Sequence, residues 1–140
     1  MTVFLDTDIC IFALRGQHPQ LIDAFRALTP DRIRIPAIVA GELWLGARKS
    51  ASPSTAQKAV AAFLAPYEIV PFDAHTAEVY ADIREELESK GTPIGPNDLL
   101  IAATALAHRG VLVTHNTREF GRIQGLRMQD WTQKAKGADK

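Results

Sequence analysis

Three acidic residues lie in segments that have no evident structural use for a charge. Asp6 follows the apolar run VFL, Glu42 lies in the apolar segment IPAIVAGELWLGARKS, and Asp98 stands near the start of IGPNDLLIAATAL. Two unit charges about 4 Å apart repel by roughly 4 kcal/mol at an effective dielectric near 20, so acids that share a pocket bind protons or recruit a cation. If the fold draws the three together, they predict a divalent-cation site and metal-assisted chemistry on phosphates.

The donor atoms of this set favour Mg²⁺ or Mn²⁺. Both ions prefer carboxylate, carbonyl and water oxygens, and Mg²⁺ keeps several waters that leave room for a phosphate. Zinc is not expected, because the single Cys10 and the four histidines have no CxxC or HExxH spacing. One ion and two ions are both compatible with the sequence.

Each acid also has an ordinary structural explanation. Asp6 could cap the next segment, and Asp98 would be favoured by the dipole in the first turn of a helix. Glu42 is harder to explain in this way, because aliphatic residues and the glycines Gly41 and Gly46 surround it. A helical glycine costs about 1 kcal/mol relative to alanine, which predicts that something approaches the backbone closely there.

Short β-branched runs alternate with longer segments of helical period, which predicts a parallel sheet covered by helices on both faces. The predicted strands are residues 3–5, 32–35, 68–72 and 111–114, with a possible edge strand at 126–130. The predicted helices are residues 20–28, 36–49, 54–64, 74–90 and 96–109. Ligands of such a sheet bind beyond the carboxyl ends of the strands, where Asp6 and the segment after VLVT fall.

The length and composition predict one ordinary globular domain. The 140 residues are enough for a substantial core, expected over residues 1–133 and followed by a flexible tail at 134–140. A single cysteine forms no internal disulfide, and the first apolar run is too short for a signal peptide or a membrane span. A cytoplasmic location without membrane attachment is therefore expected.

The charge balance argues modestly against a high-affinity nucleic-acid scaffold. Sixteen acidic and sixteen basic residues give no net charge. A nuclease, however, needs to hold phosphate only locally. Arg118 and Arg122 follow the last candidate site segment, and Arg48 and Lys49 follow Glu42. Solvated surface positions are the ordinary explanation for both groups.

Four segments taken together resemble the PIN-domain family, and within it the VapC-type toxins of bacterial toxin–antitoxin pairs. They are LDTDICIFALRG, AGELWLGARKS, IGPNDLLIAATAL and VTHNTREFGRIQGLRMQDW, and the resemblance runs from Val3 to about Trp131. It implies a three-layer α/β domain with a central, mainly parallel sheet of four or five strands. It also implies an endoribonuclease toxin that depends on Mg²⁺ or Mn²⁺, inhibits translation, forms a homodimer and is neutralised by a VapB-like antitoxin.

The resemblance assigns the site residues. Asp6, Glu42 and Asp98 match three family acids and are the expected metal ligands and catalytic residues. At the fourth position many relatives have Asp where this chain has Asn116. Either Glu119 supplies that charge, or three carboxylates act with a neutral oxygen ligand. Glu119 could instead complete a helix capping box with Asn116.

In the expected mechanism Asp6 and Asp98 hold the principal ion, and Glu42 completes the cluster or orients and deprotonates a water. Supporting roles are expected for Thr7, Thr114 and Asn116, and contacts with the RNA phosphates for Arg118 and Arg122. The helical pair at residues 36–64 could leave an apolar groove for an amphipathic helix, with core packing as the alternative. The apolar residues considered for this groove are Trp44, Leu45, Val60, Phe63 and Leu64.

Two other classes share part of this pattern. Asp6-Thr7-Asp8 imitates the opening of haloacid-dehalogenase-like phosphatases, but THNTREF lacks the lysine and the acidic pair that those enzymes need. A receiver-like, non-enzymatic metal-binding module needs a phosphoacceptor after a middle strand, for which Asp73 is the only candidate. It also needs a lysine after VLVT, where none is present.

Overall fold

A single parallel sheet organises the chain, as seen in a computed structural model that describes residues 1–133. Its strands are β1 (Val3–Leu5), β2 (Ile33–Pro36), β3 (Glu68–Val70), β4 (Val111–Val113) and β5 (Arg127–Gln129). Their spatial order is β3-β2-β1-β4-β5, and every pairing is parallel. The predicted parallel sheet is confirmed, including its edge strand β5. The predicted flexible tail, residues 134–140, lies outside the described residues.

Helices pack on the sheet between successive strands. They are α1 (Thr7–Leu14), α2 (Pro19–Ala27), α3 (Ala37–Arg48), α4 (Pro53–Leu64), α5 (Ala74–Ser89), α6 (Pro96–Ala107) and α7 (Thr117–Phe120). The five predicted helices are confirmed to within two residues at each end. Three of them, α2, α4 and α6, begin with proline, whose missing N–H is not needed in a first turn. Across residues 1–133, none of these helices combines the length and the apolar character of a bilayer span.

The helix α1 was not predicted, and its burial explains why. Its sequence TDICIFAL is apolar on nearly all sides, so it lacks the amphipathic period that marks a surface helix. The structure packs α1 against α3 and α4, and the side chains of Ile9 and Cys10 are fully buried. Helix α1 therefore belongs to the core, and its first turn lies where the central strand ends.

Strand β1 is the centre of the sheet and of the core. Val3, Phe4 and Leu5 are fully buried, with β2 on one side and β4 on the other. A strand covered on both faces requires apolar residues at every position, which is typical of parallel sheets. Asp6 follows at once, and its backbone N–H still donates to the Val113 carbonyl at 3.1 Å. The sheet thus delivers the Asp6 carboxylate to the edge where β1 and β4 end.

The prediction about the glycines of α3 is wrong for the described residues. A Cβ placed at Gly41 or Gly46 would have no neighbouring atom within 4 Å. The glycine that needs its missing side chain is Gly110, directly before β4. A Cβ there would overlap the Phe4 ring and lie 3.3 Å from the Thr2 carbonyl oxygen. Gly110 therefore lets β4 pair closely with β1.

Substitution of Gly110 tests this packing. Gly110→Ala should lower the free energy of unfolding by about 1–3 kcal/mol, because the new methyl group would overlap the fully buried Phe4 ring. Gly41→Ala is the matched control and should raise stability by up to about 1 kcal/mol, since the site is open and helical. Urea unfolding of both variants measures the difference. Equal stability of the two variants would contradict this account of Gly110.

Candidate active site

The three predicted acids line one cavity of about 410 Å³ at the carboxyl edge of the sheet. Asp6 reaches it from the end of β1, Glu42 from the second turn of α3, and Asp98 from the first turn of α6. The other lining residues are Thr7, Asp8, Ile11, Leu45, Gly46, Lys49, Asn97, Asn116 and Phe120. Glu119, Thr114, Arg118 and Arg122 are not among them. The fold therefore collects residues from four separate segments around one acidic space.

Asp6 serves both the fold and the site. Its carboxylate accepts a hydrogen bond from the Ile9 N–H at 3.0 Å and so caps α1, which makes the capping explanation correct. The same residue is only 5% exposed. Burial raises the pKa of Asp6 from its ordinary 3.8 to about 6, although hydrogen bonds from Thr114 and Ile9 lower it in part. The nearby charges of Asp8 and Asp98 contribute to this raised pKa.

The ionisation of Asp98 is disfavoured in the same way as that of Asp6. Burial, together with the charges of Glu119, Glu42 and Asp8, raises the pKa of Asp98 to about 6. Two carboxyl groups with raised pKa values in one cavity resist simultaneous ionisation. A bound cation would remove that cost, since an opposite charge favours the ionised form of both groups.

Glu42 is held in place by a neighbour from another helix. The Thr7 hydroxyl donates to Glu42 Oε1 at 2.9 Å and so joins the first turn of α1 to the middle of α3. Glu42 is partly buried and lies between the acidic cavity and an adjoining apolar one. The hydrogen bond fixes one carboxylate oxygen, which orients the group within the site.

The fourth position is occupied by Asn116, with Glu119 behind it. Asn116 lines the cavity, and its Nδ2 donates to Glu119 Oε2 at 2.9 Å. Glu119 Oε1 accepts from the Gly95 N–H at 3.0 Å. These two hydrogen bonds, first that of Asn116 and then that of Gly95, lower the pKa of Glu119. The predicted capping box is not formed, because the Asn116 N–H donates instead to the Thr114 hydroxyl at 2.9 Å.

The positive charge of the cavity comes from the C-cap of α3. Lys49 lines the cavity and forms no ion pair with any residue in 1–133. Its neighbour Arg48 is turned to Trp44, donating to the Trp44 carbonyl at 3.1 Å with its guanidinium 5.8 Å from the ring centroid. Arg122 donates to the Pro93 carbonyl at 3.1 Å, outside the cavity. Lys49 is thus the cation placed beside the acids.

Sequence reasoning missed two polar residues of the cavity, Asp8 and Asn97. Each stands beside a predicted acid, Asp8 two residues after Asp6 and Asn97 directly before Asp98. Asp8 was missed because helix α1, in which it lies, was not predicted. With Asp6 as the N-cap, Asp8 falls in the first turn of that helix and stays close to the site. Its charge raises the pKa values of both Asp6 and Asp98.

The donor set of the cavity fits a hard divalent cation. Within residues 1–133, no three His, Cys, Asp or Glu side chains form a ready-made ligand set. Mg²⁺ is commonly held by one or two protein carboxylates and completes its shell with water. Asp6 and Asp98 supply such a pair, with charges that burial disfavours. They are therefore suited to Mg²⁺ or Mn²⁺ rather than to a metal that needs sulfur or imidazole.

Comparison with known proteins agrees with this geometry. Residues 3–126 match the PIN domain family. The chain is 39% identical over 127 residues to the tRNA(fMet)-specific endonuclease VapC of Salmonella typhimurium, covering 91% of this chain and 96% of that protein. It is also 39% identical over 132 residues to Ribonuclease VapC2 of Rickettsia felis, covering 94% and 98%.

A solved structure shows the same fold. The structure of VapBC2 from Rickettsia felis bound to a DNA fragment from its promoter aligns with a TM-score of 0.88 and 38% identity. The alignment covers 94% of this chain and 99% of that one. Fold and site together define a PIN-domain nuclease. The chain belongs to the PIN-domain family and, within it, to the VapC-type ribonucleases of toxin–antitoxin pairs. The phosphatase and receiver-like alternatives receive no support from any of these matches.

The raised pKa of Asp6 predicts a pH dependence of stability in the metal-free protein. Because the folded-state pKa of about 6 exceeds the ordinary 3.8, the folded state keeps a proton that the unfolded state loses. The Asp6 contribution to stability should therefore fall as pH rises from about 4 to about 6 and stay low above that range.

Asp6→Asn should remove this contribution while keeping the helix cap, because Asn caps as well as Asp. In EDTA, the melting temperature of the variant should be at least that of the unmodified chain at pH 7.5, and the difference should shrink towards pH 4. A pH profile identical for the two proteins would contradict the burial of a strained charge at Asp6.

Proposed function

We propose that this chain cleaves RNA phosphodiester bonds with the help of Mg²⁺ or Mn²⁺ held by Asp6 and Asp98. The observation that carries the proposal is a pair of carboxyl groups, each with a pKa raised to about 6, in one cavity beyond the carboxyl ends of parallel strands. A bound cation would relieve the repulsion between them, which favours cation binding. When bound, the ion would lower the pKa of a coordinated water and offset the charge that develops on the phosphate.

Glu42 is the residue proposed to handle the attacking water. It shares the cavity with Asp6 and Asp98, and the hydrogen bond from Thr7 holds its carboxylate in one orientation. A carboxylate held in this way can orient a water and accept its proton as the water attacks phosphorus. Asn116 lines the cavity near the same groups and offers a further polar contact.

Lys49 is the residue proposed to contact the RNA phosphate. It is the lysine of the cavity lining, and no carboxylate in residues 1–133 pairs with it. Arg118 and Arg122, which the sequence suggested for this role, lie outside the cavity and would reach only flanking phosphates. The name of the Salmonella typhimurium relative specifies tRNA(fMet), and we propose a structured RNA of the tRNA class as the substrate here.

A VapB-like antitoxin is the proposed protein partner, and an apolar cavity of about 390 Å³ is its proposed docking site. This cavity lies between α1, α3 and α4 and shares Ile11, Glu42 and Gly46 with the acidic one. The apolar lining residues are Ile11, Leu14, Leu43, Ala47, Ala56 and Ala59. Val60 and Leu64, which the sequence suggested as groove residues, are buried in the core. A helix placed in this groove would also cover Glu42. A homodimer, which the resemblance implies, completes the proposed assembly.

Loss of either proposed metal-binding acid should abolish cleavage. Asp98→Asn and Asp6→Asn should each reduce the rate by about 10² or more on tRNA with Mn²⁺, because the remaining carboxylate would hold the ion more weakly and position it less well. Asp82→Asn is the matched control, since Asp82 is an exposed acid of α5 that lines a different cavity. The rate is measured from cleaved ends over a Mn²⁺ titration. Near-normal cleavage by Asp98→Asn at limiting Mn²⁺ would refute the assignment.

The two neighbouring cations at the end of α3 provide a matched pair for RNA binding. Lys49→Gln should raise KM for RNA several-fold and reduce the salt dependence of binding by roughly one phosphate contact. Arg48→Gln should change KM much less, because Arg48 is engaged with Trp44 outside the acidic cavity. Both variants are compared at two salt concentrations. A larger effect from Arg48→Gln would place the phosphate on the other side of α3.

A further inference from the structure

The Glu119 carboxylate joins two segments of the site, and both of its oxygens take part. Oε1 accepts from the Gly95 N–H at 3.0 Å, and Oε2 accepts from Asn116 Nδ2 at 2.9 Å. Gly95 is the N-cap of α6, the helix that carries Asp98 in its first turn. Asn116 is the N-cap of α7 and lines the acidic cavity. Glu119 therefore ties the start of α6 to the loop after β4.

These hydrogen bonds also determine which way the Asn116 amide is turned. A glutamate carboxyl is ordinarily ionised at neutral pH, and both hydrogen bonds are donated to that charged form. An ionised carboxylate accepts hydrogen bonds and cannot donate one. Asn116 must therefore present its NH₂ group to Glu119, which leaves Oδ1 as the other polar atom of the amide.

The same link continues to the central strand. The Asn116 N–H donates to the Thr114 hydroxyl at 2.9 Å, and the Thr114 side chain lies close enough to the Asp6 carboxylate to lower its pKa. A chain of neutral donors and one remote carboxylate thus runs from Asp6 to the start of α6. Such outer hydrogen bonds orient the groups that touch a ligand and tune their affinity.

We propose that Glu119 is a positioning residue rather than a metal ligand: it fixes the Asn116 amide so that Oδ1 serves as a neutral fourth oxygen of the site. This inference rests on the proposed cation site at Asp6 and Asp98. Carbonyl oxygens are suitable ligands of Mg²⁺ and Mn²⁺, so the amide oxygen of Asn116, a residue of the cavity lining, can serve in this position. The second hydrogen bond, from the Gly95 N–H, fixes the start of α6 to the same Glu119 side chain that orients Asn116.

Exchanging the acid and the amide between positions 116 and 119 tests the proposal. The variants are Glu119→Gln, Asn116→Asp and the double variant that combines them. Glu119→Gln places an NH₂ group against that of Asn116, or turns the amide over, and should weaken Mn²⁺ binding about tenfold. Asn116→Asp places two carboxylates in contact and should also weaken it. In the double variant the introduced Asp accepts from the introduced Gln, whose oxygen still accepts from the Gly95 N–H. The double variant should therefore bind Mn²⁺ within about threefold of the unmodified chain.

Binding is measured on the full chain without RNA, from the electron paramagnetic resonance of free Mn²⁺, with metal-free thermal unfolding as the check on folding. If Asn116→Asp alone binds Mn²⁺ as tightly as the unmodified chain, and the double variant is as weak as Glu119→Gln, Glu119 is a direct ligand and the proposal is overturned. Asp98→Asn distinguishes failure of the positioning role of Glu119 from failure of the cation site itself. Loss of Mn²⁺ binding in Asp98→Asn without rescue by the swap overturns the positioning role alone, whereas unchanged binding in Asp98→Asn overturns the cation site and the inference with it.

A second comparison stays informative if the swap disturbs folding. In an Asn116→Ala background, Glu119→Gln should change Mn²⁺ affinity less than twofold, because the amide that Glu119 orients is already absent and Gln keeps the bond to Gly95. A direct ligand would lose the same roughly tenfold affinity in both backgrounds, and that result would overturn the proposal.

Discussion

The burial of the Asp6 carboxylate at the end of the central strand constrains the rest of the site. Strand β1 lies between β2 and β4, so the residues that follow these three strands must meet at one edge of the sheet. Asp6 is 5% exposed there and shares the cavity with Glu42 and Asp98. The fully buried side chains of β1 stabilise an arrangement that the charges alone would oppose. Packing of the core thus offsets the unfavourable free energy of bringing the acids together. A bound cation would reduce that unfavourable free energy.

Neutral hydrogen-bond donors hold the acids in position. The Thr7 hydroxyl holds Glu42, and the Thr114 hydroxyl and the Ile9 N–H hold Asp6. None of these donors adds charge, so each orients a carboxylate without neutralising it. An ion pair in the same place would satisfy the acid and leave less attraction for a metal. These hydrogen bonds therefore orient the carboxylates and leave the negative charge of the cavity in place.

The charge balance of the whole chain fits a locally built site. With sixteen acidic and sixteen basic residues, the net charge of the protein gives it no overall electrostatic bias towards RNA. A bound cation and Lys49 would together supply the positive charge at the point where the phosphate must lie. Affinity would then depend on a few contacts and on the shape of the RNA rather than on a broad basic surface. The apolar cavity beside Glu42 extends the same region towards a protein partner.

Much of this organisation was predictable from sequence, and the exceptions have physical causes. The strands and the helices α2 to α6 follow from β-branched runs, helical period and first-turn prolines, and the acids stand out because they interrupt apolar segments. Helix α1 was missed because a buried helix has no amphipathic period, and Asp8 was missed with it. Gly41 and Gly46 suggested close packing, yet the space around them is open. The contact of Glu119 with Gly95 joins residues 24 positions apart, and only the folded chain brings them together.

The central claim is that Asp6 and Asp98 hold a divalent cation in the cavity at the carboxyl edge of the sheet. The most direct test is anomalous diffraction at the manganese absorption edge from crystals of the full chain grown with Mn²⁺. The account predicts an anomalous peak inside the cavity, within coordination distance of at least one oxygen of Asp6 and one of Asp98. A fully ordered cavity without a peak at saturating Mn²⁺, or a peak held only by residues outside it, would contradict the account.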